Sequence, residues 1–364
     1  MGLQNNGAWD MGFEQVTISN LLRDLGYATA SFGIWHISQD LEPFGIEVSD
    51  QSARSCESST DRALAFLENR DPDQPFFLMA GYFEPHRPWT DAWPDLQSPD
   101  AVTVPPYLPN VEQSRAEMSL FYGDGSRTDE SAGRIVDRLD QLGIRENTLF
   151  IFTTDHGIAM PYAKGTLYDP GLKIACILSW PGVIAAGTRY DALSSNVDLL
   201  PTIMEAVDRP GLIPPDIDGL SLWAGLSNGA EIEHRHIYAE MSWHDFYEPM
   251  RAIRTETHKL IRNFEPGTGL QLARDIMGSP IVPEIRESLL SHPRPEYELY
   301  ELREDPLERK NVAGEADVRD LESRLRSDLN AWLEATADPI LDGRIVPPGQ
   351  YFPVMDTDWT RRLP

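Results

Sequence analysis

Strand-like and helix-like segments alternate along roughly the first 205 of the 364 residues, and that rhythm restricts the fold more than any other feature of the chain. Thr17 caps a run, TISNLLRDLGY, whose apolar residues recur at helical spacing and stop near Gly26. ATASFGIWH then reads as a strand ending near His36. A helix around Thr60 to Asn69 leads to PFFLMAGYFEPH, a strand ending near His86. After the proline-rich PPYLPN comes an amphipathic helix from about Ser114 to Leu142. The apolar run from Thr148 to Thr153 follows and reads as a buried parallel strand. KIACILSWPG supplies one more strand. This order predicts an α/β fold, a mostly parallel sheet with helices on both faces.

The pattern changes after residue 231. HIYAEM, MRAIRTETHKLIRNF and ELYELREDP read as short antiparallel strands joined by turns, followed by a helix from about Asp317 to Thr336. Residues 1–231 are therefore expected to form the α/β domain, and residues 232–364 a small α+β subdomain with a Pro- and Asp-rich tail.

A net charge of −27 and a pI near 4.6 argue against a nucleic-acid partner, because phosphate binding rests on clustered Lys and Arg. The four lysines, Lys164, Lys173, Lys259 and Lys310, stand against abundant arginine and carboxylate. That balance suits a protein kept soluble in high salt, and equally a GC-rich genome that favours arginine. No apolar run approaches the roughly 20 residues of a membrane span, and the amino-terminal residues show no signal-peptide pattern. Cys56 and Cys176 are too few for a disulfide framework and read as core or structural thiols.

In an open parallel sheet, ligands gather beyond the carboxyl ends of the strands. Three strands here end on chemically capable residues: His36, His86, and the pair Asp155 and His156. Asp155 offers a hard anionic oxygen and His156 a nitrogen beside it, in a turn that Gly157 permits, so the pair suits a divalent cation. Two ligands do not complete a site for calcium, which takes about six to eight oxygens. Lys164 and Arg87 are placed to hold an anionic substrate, and His36 and His86 to act as acid or base near neutral pH. Taken alone, TDHG also fits an ordinary strand-to-helix turn with Asp as the cap.

The same residues resemble a family. TLFIFTTDHGIAMPYAKGTLYDPG is similar to the metal and substrate motif of sulfatases in the alkaline phosphatase superfamily. LLRDLGYATASFGIWH resembles their Gly-Lys-Trp-His segment, PFFLMAGYFEPHRPW their histidine-bearing strand, and SNVDLLPTIMEAV a later helix. The carboxyl-terminal strands resemble their small terminal subdomain. Through PPYLPN, GTLYDPG and the stretch LYELREDPLERKNVA to LNAWLEATADP, the likeness is greatest to the heparan N-sulfatases (sulfamidases).

The resemblance implies an alkaline phosphatase-like fold and hydrolysis of sulfate esters or sulfamates, of small molecules or glycans. It places Asp155 and His156 as calcium ligands, Lys164 on the sulfate, His36 beside the nucleophile and His86 at the leaving group. His244, in AEMSWHDFYEPMR, resembles a substrate-pocket histidine, though an exposed aromatic loop explains that stretch as well. Members of the family are often exported or lysosomal. Two departures stand out. The family's lysine before Trp-His is Ile34 here, which can neither neutralise nor hydrogen-bond a sulfate oxygen.

The family's amino-terminal part supplies a first strand with two consecutive Asp ligands and a Cys-x-Pro-Ser-Arg motif whose cysteine becomes the formylglycine nucleophile. Neither occurs in these 364 residues. Cys56, in CESSTDR, lacks the Pro and Arg and falls after the Gly-x-Trp-His segment instead of before it. The sequence alone thus reads as a sulfatase without its amino-terminal portion, inactive by itself. A non-catalytic remnant that binds an anionic ligand or partner, and a phosphate ester hydrolase of the same superfamily, are the alternatives. A sheet missing its first strand would expose an edge and apolar surface, so marginal stability or self-association is expected.

Overall fold

In the computed structural model, residues 11–345 are described except 13, 39, 231 and 233–235. The first helix, α1 (Ile18–Asp24), begins where the Thr17 hydroxyl accepts from the Asn20 amide and Asn20 Oδ1 accepts from the Thr17 amide, a reciprocal cap. Strand β1 (Ala28–Gly33) follows, then β2 (Val48–Asp50), helix α2 (Cys56–Asn69) and β3 (Phe76–Gly81). These strands form a parallel sheet in the order β2-β1-β3, with Ala30 opposite Val48 on one side and Leu78 on the other. The long helix α3 (Glu112–Gln141) packs with α2 over this sheet. Ala30 and Phe32 of β1, Ala63 and Leu67 of α2, and Ile135 and Leu139 of α3 make one buried cluster.

Strand β4 (Phe150–Thr153) corrects the sequence expectation for Thr148 to Thr153. It is not parallel and not buried: it pairs antiparallel with β5 (Cys176–Ser179), and the two stand as a separate ribbon. An apolar run reports that a strand needs cover, not which way its neighbour runs. Here the loop of residues 154–175 carries the chain out and back alongside. Cys176 is likewise exposed on β5, not in the core, whereas Cys56 is buried at the start of α2. Short helices α4 (Asp169–Leu172), α5 (Leu199–Ala206) and α6 (Trp223–Asn228) complete this part.

The boundary expected after residue 231 touches residues outside the described set. Beyond it, β6 (Ile237–Trp243), β7 (Tyr247–Arg254) and β8 (His258–Asn263) run antiparallel. A two-residue ribbon joins β9 (Gly267–Thr268) to β10 (Pro293–Arg294) around helices α7 (Arg274–Met277) and α8 (Val282–Ser291). Strand β11 (Tyr297–Glu301) closes the four-stranded order β11-β8-β7-β6, and helix α9 (Arg319–Ala335) packs Leu325 and Leu329 against Ile253 and Leu260.

The two parts share a core. Met118 of α3, Met160 and Leu167 cluster with Ala252 of β7, Ile261 of β8 and Ile276 of α7. Buried ion pairs reinforce it: Lys259 of β8, fully buried, lies 2.6 Å from Asp169 and 2.8 Å from Glu308. Arg254 adds two hydrogen bonds to Asp169 at 3.1 and 3.0 Å. The loop that leaves β4 is thereby held against the carboxyl-terminal sheet, which positions Lys164.

Candidate active site

Strand β1 stops at Gly33 because the chain turns there with φ of +94°, and a Cβ at this position would sit 1.9 Å from the Gly81 carbonyl oxygen. Ile34, Trp35 and His36 follow it into the loop. At the equivalent end of β3 the chain turns through Phe83 and His86, whose amide donates to the Phe83 carbonyl at 2.8 Å, with cis bonds before Pro85 and Pro88. At the end of β4, the Gly157 amide donates to Gly171 at 2.9 Å, and Pro170 crosses so closely that a Cβ would meet its oxygen at 1.9 Å. The glycine is therefore required by this close crossing of the Pro170 backbone, where any side chain would collide.

His86, Lys164 and a residue the sequence did not single out, Asp275 of α7, come together. The Lys164 ammonium lies 3.2 Å from His86 Nε2 and 2.8 Å from Asp275 Oδ2, and Asp275 Oδ2 lies 3.7 Å from the same His86 nitrogen. His86 Nδ1 faces the Arg87 carbonyl, which can only accept, so Nδ1 carries the proton and Nε2 presents its lone pair to Lys164. An ammonium has three N–H donors. One is given to Asp275 and one to His86, leaving one for an anion.

His36 stands exposed beside this group. Partial desolvation and then the Arg54 charge lower its pKa, while Asp155 acts in the opposite sense and His86 adds a further lowering. These mutual effects bring His36, His86 and Asp155 into one electrostatic neighbourhood, as the strand ends suggested. They also add Arg54, which no sequence motif marks.

Asp155 is open to solvent, and its Oδ1 accepts from the His156 amide at 2.9 Å. His156 Nδ1 donates to the Gly157 carbonyl at 2.7 Å, so Nε2 keeps its lone pair, 3.5 Å from Asp155 Oδ2. The pair can hold a cation at one edge, but these two donors do not by themselves fit calcium, which needs several more oxygens. Among the described residues the one group of three converging ligands is Cys56, Glu57 and Glu84, and burial raises the Cys56 thiol to about 12. That protonated thiol is a poor nucleophile and a poor ligand.

Arg87 is placed otherwise than a substrate contact would be. It is buried, its fork grips Glu117 at 2.5 and 2.9 Å, its Nε donates to the Ala159 carbonyl at 2.7 Å, and its guanidinium lies 3.8 Å from the Trp89 ring centre. Its donors are committed inside the protein. His244 remains half-exposed, 3.0 Å from Asp245, whose carboxylate also accepts from the Arg274 amide at 2.7 Å. Burial favours the protonated form of Asp245, but the hydrogen bonds from His244 and Arg274 outweigh it and hold its pKa below the ordinary carboxylate range. This contact sets His244 next to the segment that bears Asp275.

His36 and His86 follow strands of the parallel sheet, Asp155 follows the separate β4–β5 ribbon, and the buried Lys164 ammonium lies between His86 and Asp275, a set of groups of the kind that can hold an anion. The sulfatase family model matches residues 2–208, and the model for the N-sulphoglucosamine sulphohydrolase carboxyl-terminal region matches residues 155–274. The chain belongs to the sulfatase family, of the alkaline phosphatase superfamily.

An ulvan-active sulfatase of Formosa agariphila is 27% identical over 75% of this chain and 54% of its own length. A second from the same organism is 28% identical over 83% of this chain and 61% of its own length. The chain thus spans little more than half of those two relatives. Human N-sulphoglucosamine sulphohydrolase is 25% identical over 88% of this chain and 74% of its own. Among solved structures, an enzyme in complex with its substrate D-glucosamine-2-N,6-O-disulfate superimposes with a TM-score of 0.70. It is 20% identical, covering 94% of this chain and 86% of that one, and shares the fold. Sulfatases generally use a divalent metal and a formylglycine. No helix among the described residues is long and apolar enough to cross a membrane.

Proposed function

We propose that the chain carries the sulfate-binding and leaving-group half of a sulfatase site, for a sulfate ester or sulfamate on a sugar. The observation that carries the proposal is the Lys164 ammonium, buried, held at 2.8 Å by Asp275 and at 3.2 Å by His86 Nε2, with one N–H left over. A sulfuryl oxygen takes that donor. In net terms the sulfur–oxygen or sulfur–nitrogen bond breaks, water supplies the hydroxyl that ends on sulfur, and the departing oxygen or nitrogen needs a proton. With Nδ1 committed to the Arg87 carbonyl, His86 Nε2 is the atom through which that proton passes.

The formylglycine and the metal of the family supply nucleophile and charge when present. Calcium is the cation we assign to Asp155 and His156, completed by oxygens beyond those two residues. Ile34 leaves one family sulfate contact unfilled, and Arg54, whose charge acts on His36, is the cation we assign to compensate for it. The sugar preference rests on relatives named as ulvan-active sulfatases and N-sulphoglucosamine sulphohydrolase.

Calorimetric titration of the 364-residue chain with glucosamine N-sulfate, glucosamine and inorganic sulfate tests the reading. Binding of the sulfated sugar that disappears in Lys164→Ala supports it. Equal binding by wild type and Lys164→Ala, or preference for phosphate monoesters, overturns it. Sulfate release measured by ion chromatography then decides whether the chain turns over substrate unaided.

A further inference from the structure

We infer that Asp245 is a positioning residue for substrate selection. It holds His244 so that the ring accepts a hydrogen bond from a hydroxyl of the sulfated saccharide, and the site thereby prefers sugars to sulfates without hydroxyls. The inference deepens the sulfate-site reading and rests on it. His244 to Phe246 form the turn between β6 and β7, closed by the His244 amide on the Phe246 carbonyl at 3.3 Å. Asp245 Oδ2 accepts twice, from His244 Nδ1 at 3.0 Å and from the Arg274 amide at 2.7 Å. The residue after Arg274 is Asp275, which holds the Lys164 ammonium at 2.8 Å. One carboxylate thus connects a histidine on the hairpin to the segment that orients the sulfate donor.

Burial favours a protonated Asp245, but the hydrogen bonds from His244 and Arg274 outweigh it and keep its pKa below the ordinary carboxylate range. A carboxylate can only accept, so the proton of the pair sits on His244 Nδ1. The neutral ring then presents a lone pair at Nε2. With 41% of its side chain exposed, His244 has room to offer that lone pair to a ligand. A sulfate or carboxylate oxygen has no hydrogen to give it, and a hydroxyl has one. Asp275 adds a second acceptor, since its Oδ1 is buried with no hydrogen-bond partner among the described residues. The free donor of Lys164 takes a sulfuryl oxygen, and these two acceptors take the hydroxyls that a sugar carries and an aryl or alkyl sulfate lacks.

A structural tie between hairpin and α7 needs only the Arg274 amide, whereas a bond to a half-exposed imidazole contributes little to stability. Nor does the Arg274 side chain displace His244: it is 59% exposed, and its Nε stays 3.6 Å from the other oxygen, Asp245 Oδ1. A site built to hydrogen-bond a hydroxyl rejects an analogue without one far more strongly than an apolar pocket rejects a missing methylene.

Calorimetric titration of the 364-residue chain with glucosamine N-sulfate and with cyclohexylsulfamate compares two sulfamates on rings of the same size, one with hydroxyls and one without. Expected is a preference of at least about tenfold for the sugar. Asp245→Ala and His244→Ala should each remove that preference; the second leaves the Arg274 amide its acceptor, so it decides the matter if the first fails to fold. Nitrogen-15 shifts of the His244 ring should show the Nδ1–H tautomer in the wild type and the Nε2–H tautomer in Asp245→Ala. Equal affinities in the wild type, a preference that survives either substitution, or an Nε2–H ring in the wild type overturns the inference and leaves the sulfate site standing. Failure of both ligands to bind, or binding unaffected by Lys164→Ala, overturns the sulfate-site reading and this inference with it.

Discussion

Replacing Arg87 by methionine separates a structural role from a substrate role. Arg87 and Glu117 are both nearly inaccessible, and the Glu117 carboxylate accepts from the guanidinium at 2.5 and 2.9 Å and from the Ser279 hydroxyl at 2.6 Å. The pair therefore ties the turn that carries His86 to α3 and to the segment after α7. Arg87→Met leaves a buried carboxylate with one hydroxyl donor, and removing one partner of such a pair costs about 3–5 kcal/mol. The lost contact with the Trp89 ring adds about 1 kcal/mol. Arg87→Met with Glu117→Leu removes both charges and should recover at least about 2 kcal/mol of that loss. Urea unfolding followed by tryptophan fluorescence measures each value, and sulfate titration of the folded variants measures binding. A loss below about 1 kcal/mol for Arg87→Met, or a sulfate affinity that falls while stability holds, would refute the reasoning.

Acid should weaken the contact between the Lys164 loop and the carboxyl-terminal sheet. Burial alone would raise the Asp169 pKa, but Arg254 and Lys259 outweigh it and bring it to about 2, below an unfolded value of 3.8. The stabilisation is therefore complete above about pH 4 and is lost as pH falls toward 2, about 2 kcal/mol in all. Asp169→Asn should flatten that slope, and an unchanged pH dependence of urea midpoints would contradict it. Calcium at about 1 mM should raise the melting temperature by less than about 1 °C, because Asp155 and His156 offer two donors; a rise of several degrees would show that more oxygens converge. Cys176, exposed on β5, should react with a disulfide reagent at neutral pH at least about a hundredfold faster than Cys56, whose burial raises it to about 12; comparable rates would refute the burial of Cys56.

Periodicity and end signals sufficed for α1, α3 and the strands before His36 and His86, and not for β2, α7 or α8, which the pattern left unmarked. The Thr17 cap, the apolar stripe of α3 and the strands flanking His36 and His86 are local facts, set by neighbours within a few residues of each other. His36 and His86 were legible for the same reason, since a parallel sheet gathers its carboxyl ends on one side, whereas Asp155 and His156 follow a strand of a separate antiparallel ribbon. The sequence could not show that Lys164 meets a carboxylate 111 positions away, in a segment, ARDIMGSP, with no motif to mark it. Nor could it show that Arg87, next to His86 in the chain, turns inward to Glu117. Residue type offers a guanidinium to any anion, and only packing decides whether that anion is a substrate or a neighbouring helix.

By itself, then, the sequence determined the α/β alternation, the antiparallel carboxyl-terminal strands and the membership of His36, His86, Asp155, His156 and Lys164 in a candidate site. The tertiary structure alone decided the direction of β4, the partners of Lys164 and the inward turn of Arg87. Those depend on which distant segments lie side by side, and long-range pairing is settled by the summed burial of the whole chain and not by the local pattern of any one stretch.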